Sequence, residues 1–149
     1  QAAMRAKKHL LVVGYGPEND NLRRLADGSD YVKFLPRYEG IGEIVERAAR
    51  CRAFLFPSIE PFGIAPVESL AAGTPVIGMA KGGALDIVED GVNGVLFEEQ
   101  TAESLVEAIE RFEQMEFSEE IVRKSAEKFS DEAFKYQLDK LIREQLESS

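Results

Sequence analysis

The segment Phe54–Val76, FLFPSIEPFGIAPVESLAAGTPV, constrains the fold more than any other part of the chain. The apolar run Ala53–Phe56 reads as a buried strand, and Pro57, Pro61 and Gly63 break it. Pro66 suits the first position of a helix, where its missing N–H is no loss and its φ is already set. Ala65, just before it, is pushed out of the helical region, so the helix is expected to start at Pro66. Gly73 ends that helix, and Pro75-Val76-Ile77 opens the next strand. Glu60 then stands in the loop and Glu68 in the first helical turn. The amides of Phe62, Gly63 and Ile64 lie just ahead of the helix. Free amides at a helix N-terminus favour an anion.

The flanking sequence repeats this alternation. Gln1–Lys8 reads as the tail of a helix with no capping residue at its start. His9–Val13 is an apolar strand ending in Gly14-Tyr15-Gly16-Pro17. Glu18–Leu25 is a short helix with Leu22 and Leu25 inward, and Tyr31–Leu35 is a strand. Pro36–Gly40 is a loop, and Ile41–Arg50 a helix. After Pro75–Met79 come the loop Lys81-Gly82-Gly83, a helix Ala84–Glu89, turns at Asp90-Gly91 and Asn93-Gly94, and a last strand, Gly94–Phe97. From there the chain is helical, with Thr101, Ser118 and Ser130 as N-caps. The strands are apolar blocks separated by helices. That pattern predicts an α/β fold with a doubly wound parallel sheet covered on both faces. In such sheets the ligand crevice lies beyond the carboxyl ends of the strands. The loops Gly14–Pro17, Pro36–Gly40, Pro57–Gly63 and Ala80–Gly83 each follow a strand and should gather on that edge.

Composition narrows the function. At 149 residues the chain makes one domain, or most of one, with enough length to bury a core. Its net charge is −9, with seven basic and fifteen acidic residues after Phe97. A solvated acidic helical face accounts for that excess, and nucleic-acid binding is disfavoured. The apolar runs are too short to span a bilayer. Cys51 is the only cysteine and no Cys/His cluster exists for zinc, which fits a reducing, cytoplasmic compartment.

Each candidate site residue has a plain alternative. Glu60 is a donor-hydroxyl acceptor or a solvated loop charge. Glu68 accepts from a diol or complements the helix dipole. Gly14 and Gly16 form half of a dinucleotide fingerprint, with no third glycine, or a tight turn. Gly82-Gly83 is a turn or a second anion-facing junction. Arg37 flanks a base or is solvated. His9 is structural or exposed.

The run EPFGIAPVE, Glu60 to Glu68, resembles the E-x7-E motif of the retaining family 4 of GT-B glycosyltransferases. Its flanks agree: VKFLPRYEG and CRAFLFPS before it, and ESLAAGTPVIGMAKGGALDIVEDGVNGVLFEEQTAESLVEAIERFE after it. The resemblance runs from His9 to the C-terminus. It implies the C-terminal, Rossmann-like donor-binding domain of such an enzyme, which transfers a sugar from a nucleoside-diphosphate sugar with retention and without an obligatory metal or other cofactor. The wording GGALDIV…GVLFEEQTAESL is most similar to the bacterial mannosyltransferase-like branch, which points to GDP-mannose. Carried over by position, Glu60 is the catalytic-site residue and contacts donor-sugar hydroxyls. Glu68 holds the ribose. Phe62, Gly63 and Ile64 present amides to sugar and diphosphate. Pro36, Arg37 and Tyr38 flank the base, and Gly14 and Gly16 match the family's G-x-G-P turn.

The same resemblance defines departures. The family's domain opens with a strand and a G-R-x5-K segment that neutralises the diphosphate, and neither is in this sequence. Its N-terminal acceptor domain is absent too, and Pro36 replaces the usual Gly. The chain is therefore expected to be an N-terminally incomplete half of a GT-B fold, inactive alone. It would be completed by an acceptor domain or a partner chain, with a homodimer and a membrane-associated acceptor (peripheral to the inner membrane) compatible with the family. Two other readings stay open: a binding or assembly module without turnover, and another GT-B sugar-nucleotide enzyme such as an epimerase.

Overall fold

The computed structural model describes residues 1–35 and 41–147. A short helix α1 (Ala2–Arg5) leads to strand β1 (Leu10–Val13), α2 (Asn19–Leu25), β2 (Val32–Leu35) and α3 (Ile41–Ala48). Then follow β3 (Phe54–Phe56), α4 (Ile64–Ala71), β4 (Val76–Met79), α5 (Ala84–Ile87) and β5 (Gly94–Phe97). The chain finishes in α6 (Ala102–Glu113), α7 (Glu119–Ser125), a 3-10 turn (Glu127–Phe129) and α8 (Asp131–Glu147). All strand pairing is parallel, as the apolar blocks predict.

The single sheet expected from the sequence is instead two ladders. β1 pairs with β2, while β3, β4 and β5 form a separate sheet with β4 in the middle. Among the described residues no strand is hydrogen-bonded between β1 and β3. Apolar content alone makes a strand; only a lateral neighbour makes it part of a continuous sheet.

The three-stranded sheet carries the core, and its side chains alternate between two layers. Phe56 and Val76 face Leu70, Ala84, Ile87, Val88, Val122 and Ala126 from α4, α5 and α7 with their flanks. Ile77, Met79, Val95 and Phe97 face Ala108, Ile109 and Phe112 of α6 on the other side. The Phe112 and Phe117 rings stack there at 5.0 Å. Asn93, expected only as a turn residue, is buried and fully employed. Its Oδ1 accepts from the Glu89 N–H at 2.8 Å, and its Nδ2 donates to the Ile87 carbonyl and to Ser125 Oγ. One side chain thus ties the α5–β5 connection to α7, satisfying polar groups that burial would otherwise penalise.

The two-stranded sheet is thinly covered. Leu11 and Val13 are 41% and 45% exposed. Leu11 borders an open cavity of about 290 Å³ with Glu46, Arg47, Arg50 and Cys51. On the opposite face Leu22 and Leu25 line a shallow apolar groove with Met4, Leu10, Val12 and Phe34. They point towards the sheet as expected but remain exposed, because α2 leaves that groove open. The α8 side chains Phe134, Leu138, Leu141 and Ile142 are likewise exposed, although their spacing predicts a buried face. Salt bridges Arg5–Glu103, Lys8–Glu113 and Arg52–Glu113 fasten α1 and the start of β3 to α6.

Three N-caps occur where predicted. Thr101 Oγ1 accepts from the Ser104 N–H at 3.1 Å, Ser118 Oγ from Ile121, and Ser130 Oγ from Ala133. No described helix is long and apolar enough to cross a membrane.

Candidate functional site

The loop from Pro57 to Gly63 follows β3 and lies at the carboxyl end of the three-stranded sheet. Helix α4 begins at Ile64, two residues earlier than expected, and Gly63 is its N-cap. Pro66 is therefore the third helical residue. The first four N–H groups of a helix have no internal acceptor, so a proline is tolerated anywhere in that turn. Ala65 consequently sits inside the helix despite preceding a proline. Glu68 falls on the second turn, so the dipole explanation of its charge loses most of its force.

Gly63 makes this early start work. Its φ is +100°, a region that disfavours any side chain. A Cβ there would also crowd the Phe56 ring at 3.0 Å, Pro66 at 3.1 Å and Ile87 at 3.2 Å. The glycine lets the chain turn tightly over the core and enter the helix. No side chain caps the helix start. Among the described residues the N–H groups of Gly63, Ile64 and Ala65 have no acceptor. Phe62 and Ile64 flank them, 61% and 65% exposed. At the far end Gly73 closes α4, its N–H on the Leu70 carbonyl and that of Thr74 on Ser69, as its position predicts.

Two neighbouring loops hold this one in place. The Gly83 N–H donates to the Glu60 carbonyl at 2.7 Å. Gln100, just after β5, donates from Nε2 to the Pro57 carbonyl at 2.9 Å. The approach of Gly82-Gly83 is so close that a Cβ on Gly82 would lie 2.5 Å from the Glu60 carbonyl oxygen. One on Gly83 would lie 2.0 Å from that of Phe62. The glycine pair is thus required for backbone packing, whichever of its two sequence readings is taken. Its signal, two glycines after a strand, was visible in the sequence; its partner was not. The Glu60 carboxylate is exposed above this clamp, and Glu68 is half-buried one helical turn into α4.

The predicted residues are brought together only in part. Glu60, Phe62, Gly63, Ile64 and Glu68 lie on one continuous chain segment across the β3–α4 junction. Gly14, at φ +114°, turns the chain after β1 in the other sheet, and Gly16 accepts the Asn19 N–H at the start of α2. A Cβ at Gly14 or Gly16 would meet nothing within 4 Å, so only the backbone angle of Gly14 demands glycine. No hydrogen bond joins this turn to the Glu60 loop. Pro36, Arg37 and Tyr38 lie outside the described residues. His9 is exposed, its ring 5.5 Å from that of Tyr31. Cys51 is half-buried, and burial pushes its thiol pKa up, away from a reactive thiolate.

Chemically, the junction offers a row of free amide donors, with Glu60 before them and Glu68 after them in the chain. The amides suit an anion, and the carboxylates accept from hydroxyls. The chain is 33% identical over 118 residues to the D-inositol 3-phosphate glycosyltransferase of Actinosynnema mirum, covering 72% of this chain and 28% of that one. It is 34% identical over 116 residues to a GDP-mannose-dependent monoacylated alpha-(1-6)-phosphatidylinositol monomannoside mannosyltransferase of Corynebacterium glutamicum, covering 72% and 30%. It thus spans less than a third of the length of these relatives. In structure it resembles the apo form of the lipopolysaccharide outer core galactosyltransferase WaaB. The TM-score is 0.85 at 18% identity, over 97% of this chain and 44% of that one. The fold is that of a Rossmann-like half of a GT-B glycosyltransferase. Residues 1–136 match the model of the glycosyl transferases group 1 family, and the chain belongs to that family.

Proposed function

We propose that this chain is the donor-binding part of a retaining glycosyltransferase and holds a nucleoside-diphosphate sugar over the β3–α4 junction. The observation that carries the reading is the clamped geometry there: left-handed Gly63, the orphan amides behind it, and Glu60 pinned through its carbonyl by Gly83. The amides meet phosphate oxygens, Glu60 accepts from sugar hydroxyls, and Glu68 accepts from the ribose diol. In this scheme Gly14 and Gly16, after β1, border the donor, and Pro36, Arg37 and Tyr38 flank the base. No metal or other cofactor is required in this scheme. The likeness to the GDP-mannose-dependent mannosyltransferase favours GDP-mannose as donor. The acceptor is bound by a further domain or partner chain. Alone, the chain binds donor without transferring the sugar.

Calorimetric titration with GDP, UDP and their sugar conjugates tests this. The Glu68→Ala variant is expected to weaken every ligand by about tenfold, the worth of a charge-assisted hydrogen bond. The Glu60→Ala variant is expected to weaken only the sugar conjugates. Wild-type affinity in Glu68→Ala removes the ribose assignment.

A further inference from the structure

We infer that Lys81 brings a positive charge to the diphosphate from the loop after β4, an inference that rests on reading the β3–α4 junction as a nucleoside-diphosphate site. A diphosphate brings at least two negative charges to this edge. The described loops that follow the strands carry Glu18, Glu60, Glu98 and Glu99, and Lys81 is the only Lys or Arg among them. A helix N-terminus offsets about half a charge, less than the two charges of a diphosphate.

Lys81 is built into the clamp. Its N–H donates to the Met79 carbonyl at 2.7 Å, and the Ala80 N–H donates to Phe97 at 2.8 Å, so the loop is fixed to the ends of β4 and β5. The next two residues, Gly82 and Gly83, abut the main chain of Glu60 and Phe62. The Lys81 backbone is thereby held one residue from the Glu60 loop. Its side chain is exposed, and its ammonium has no ion pair or hydrogen bond to another described residue. The other lysines at positions 8 and 128 are engaged with Glu113 and with the Asp86 carbonyl. A compact ammonium on a flexible stem, on a rigid loop at an anion-facing edge, is suited to act as a point charge on phosphate. A solvated surface lysine would show the same exposure but would not distinguish phosphate from its absence.

The test is an NMR-monitored titration of the full chain and its Lys81→Met and Lys81→Arg variants with GDP, UDP, guanosine and uridine. Lys81→Met is expected to lose about tenfold in affinity for the diphosphates, with nucleoside affinity unchanged. Lys81→Arg is expected to restore most of the loss. The wild-type diphosphate affinity should also fall more steeply with added salt than that of Lys81→Met. Equal diphosphate affinity in wild type and Lys81→Met overturns the inference and leaves the site reading intact. An equal loss for nucleosides and diphosphates also overturns it, since that marks a structural role. Failure of the wild type to bind either diphosphate overturns the site reading and this inference with it.

Discussion

The two sheets are made from similar strands and end in different conditions. β4 is buried along its whole length, whereas Leu11 and Val13 of β1 are exposed on alternate positions. Both are four-residue apolar blocks, LLVV and VIGM, that look alike in the sequence. The difference lies in what stands beside and above them. β4 has a strand on each side and packed helices on both faces. β1 has one strand beside it, an open cavity on one face and a shallow groove on the other. Burial, and with it stability, is set by neighbours rather than by the strand's own residues.

The largest expected effect tests that contrast directly. Leu70→Ala, at a fully buried position against β4, should cost about 3 kcal/mol through lost burial plus the cavity left behind. Leu11→Ala should cost under about 1 kcal/mol. Urea unfolding of the two variants gives the comparison, and equal costs would mean that β1 is as well packed as β4.

A smaller effect is expected at the glycines on the two sheets' carboxyl ends. Gly83→Ala forces its Cβ against the Phe62 carbonyl oxygen, so the clamp must open. The expected cost is about 1–3 kcal/mol, as for overpacking, with loss of nucleotide binding. Gly14→Ala meets no atom and bears only backbone strain, about 1 kcal/mol. Thermal unfolding with the titration described above separates the two. Nucleotide affinity unchanged in Gly83→Ala would show that the clamp does not shape the site.

The smallest effect concerns the tether that holds α1 to α6. The hydrogen bond from Lys8 is the largest influence on the Glu113 carboxyl pKa and lowers it, with the Arg52 charge adding to the shift. A folded-state pKa below the unfolded one gives stability that is present above the unfolded value. It is lost as pH falls through the folded value. Lys8→Ala should therefore raise the Glu113 pKa and flatten the loss of stability in acid, by under about 1 kcal/mol for so open a pair. Carboxyl-carbon NMR titration reads the shift, and an unmoved Glu113 would assign it to Arg52 instead.

Much of this was legible in the residues. Proline and glycine punctuation located the elements, the hydroxyl caps started α6, α7 and α8, and the parallel arrangement followed from apolar blocks alternating with helices. The Glu60–Glu68 segment stood out because its spacing brackets a helix start. What escaped was whatever depended on a neighbour distant in sequence. Pro66 by itself predicts a helix start at its own position, but Gly63 accepts a positive φ and the helix begins two residues earlier. Gly82-Gly83 could not be assigned without knowing that the Glu60 loop lies against it. Asn93 looked like a turn residue because Ser125, one of its partners, is 32 positions away. Leu22, Leu25 and the apolar stripe of α8 have the spacing of core residues, and a helix's pattern states which face is apolar, not whether anything covers it.

The unpaired flanks of β1 and β3 also bear on how copies of the chain behave in concentrated solution. Each presents backbone donors and acceptors along a strand with no ladder partner among the described residues, a template for sideways growth of sheet from one molecule to the next. Two properties oppose such stacking: the strands are only three and four residues long, and a net charge of −9 keeps molecules apart. The second safeguard vanishes as the solution approaches the isoelectric point near 4.7, so colloidal stability in acid rests on short strands alone.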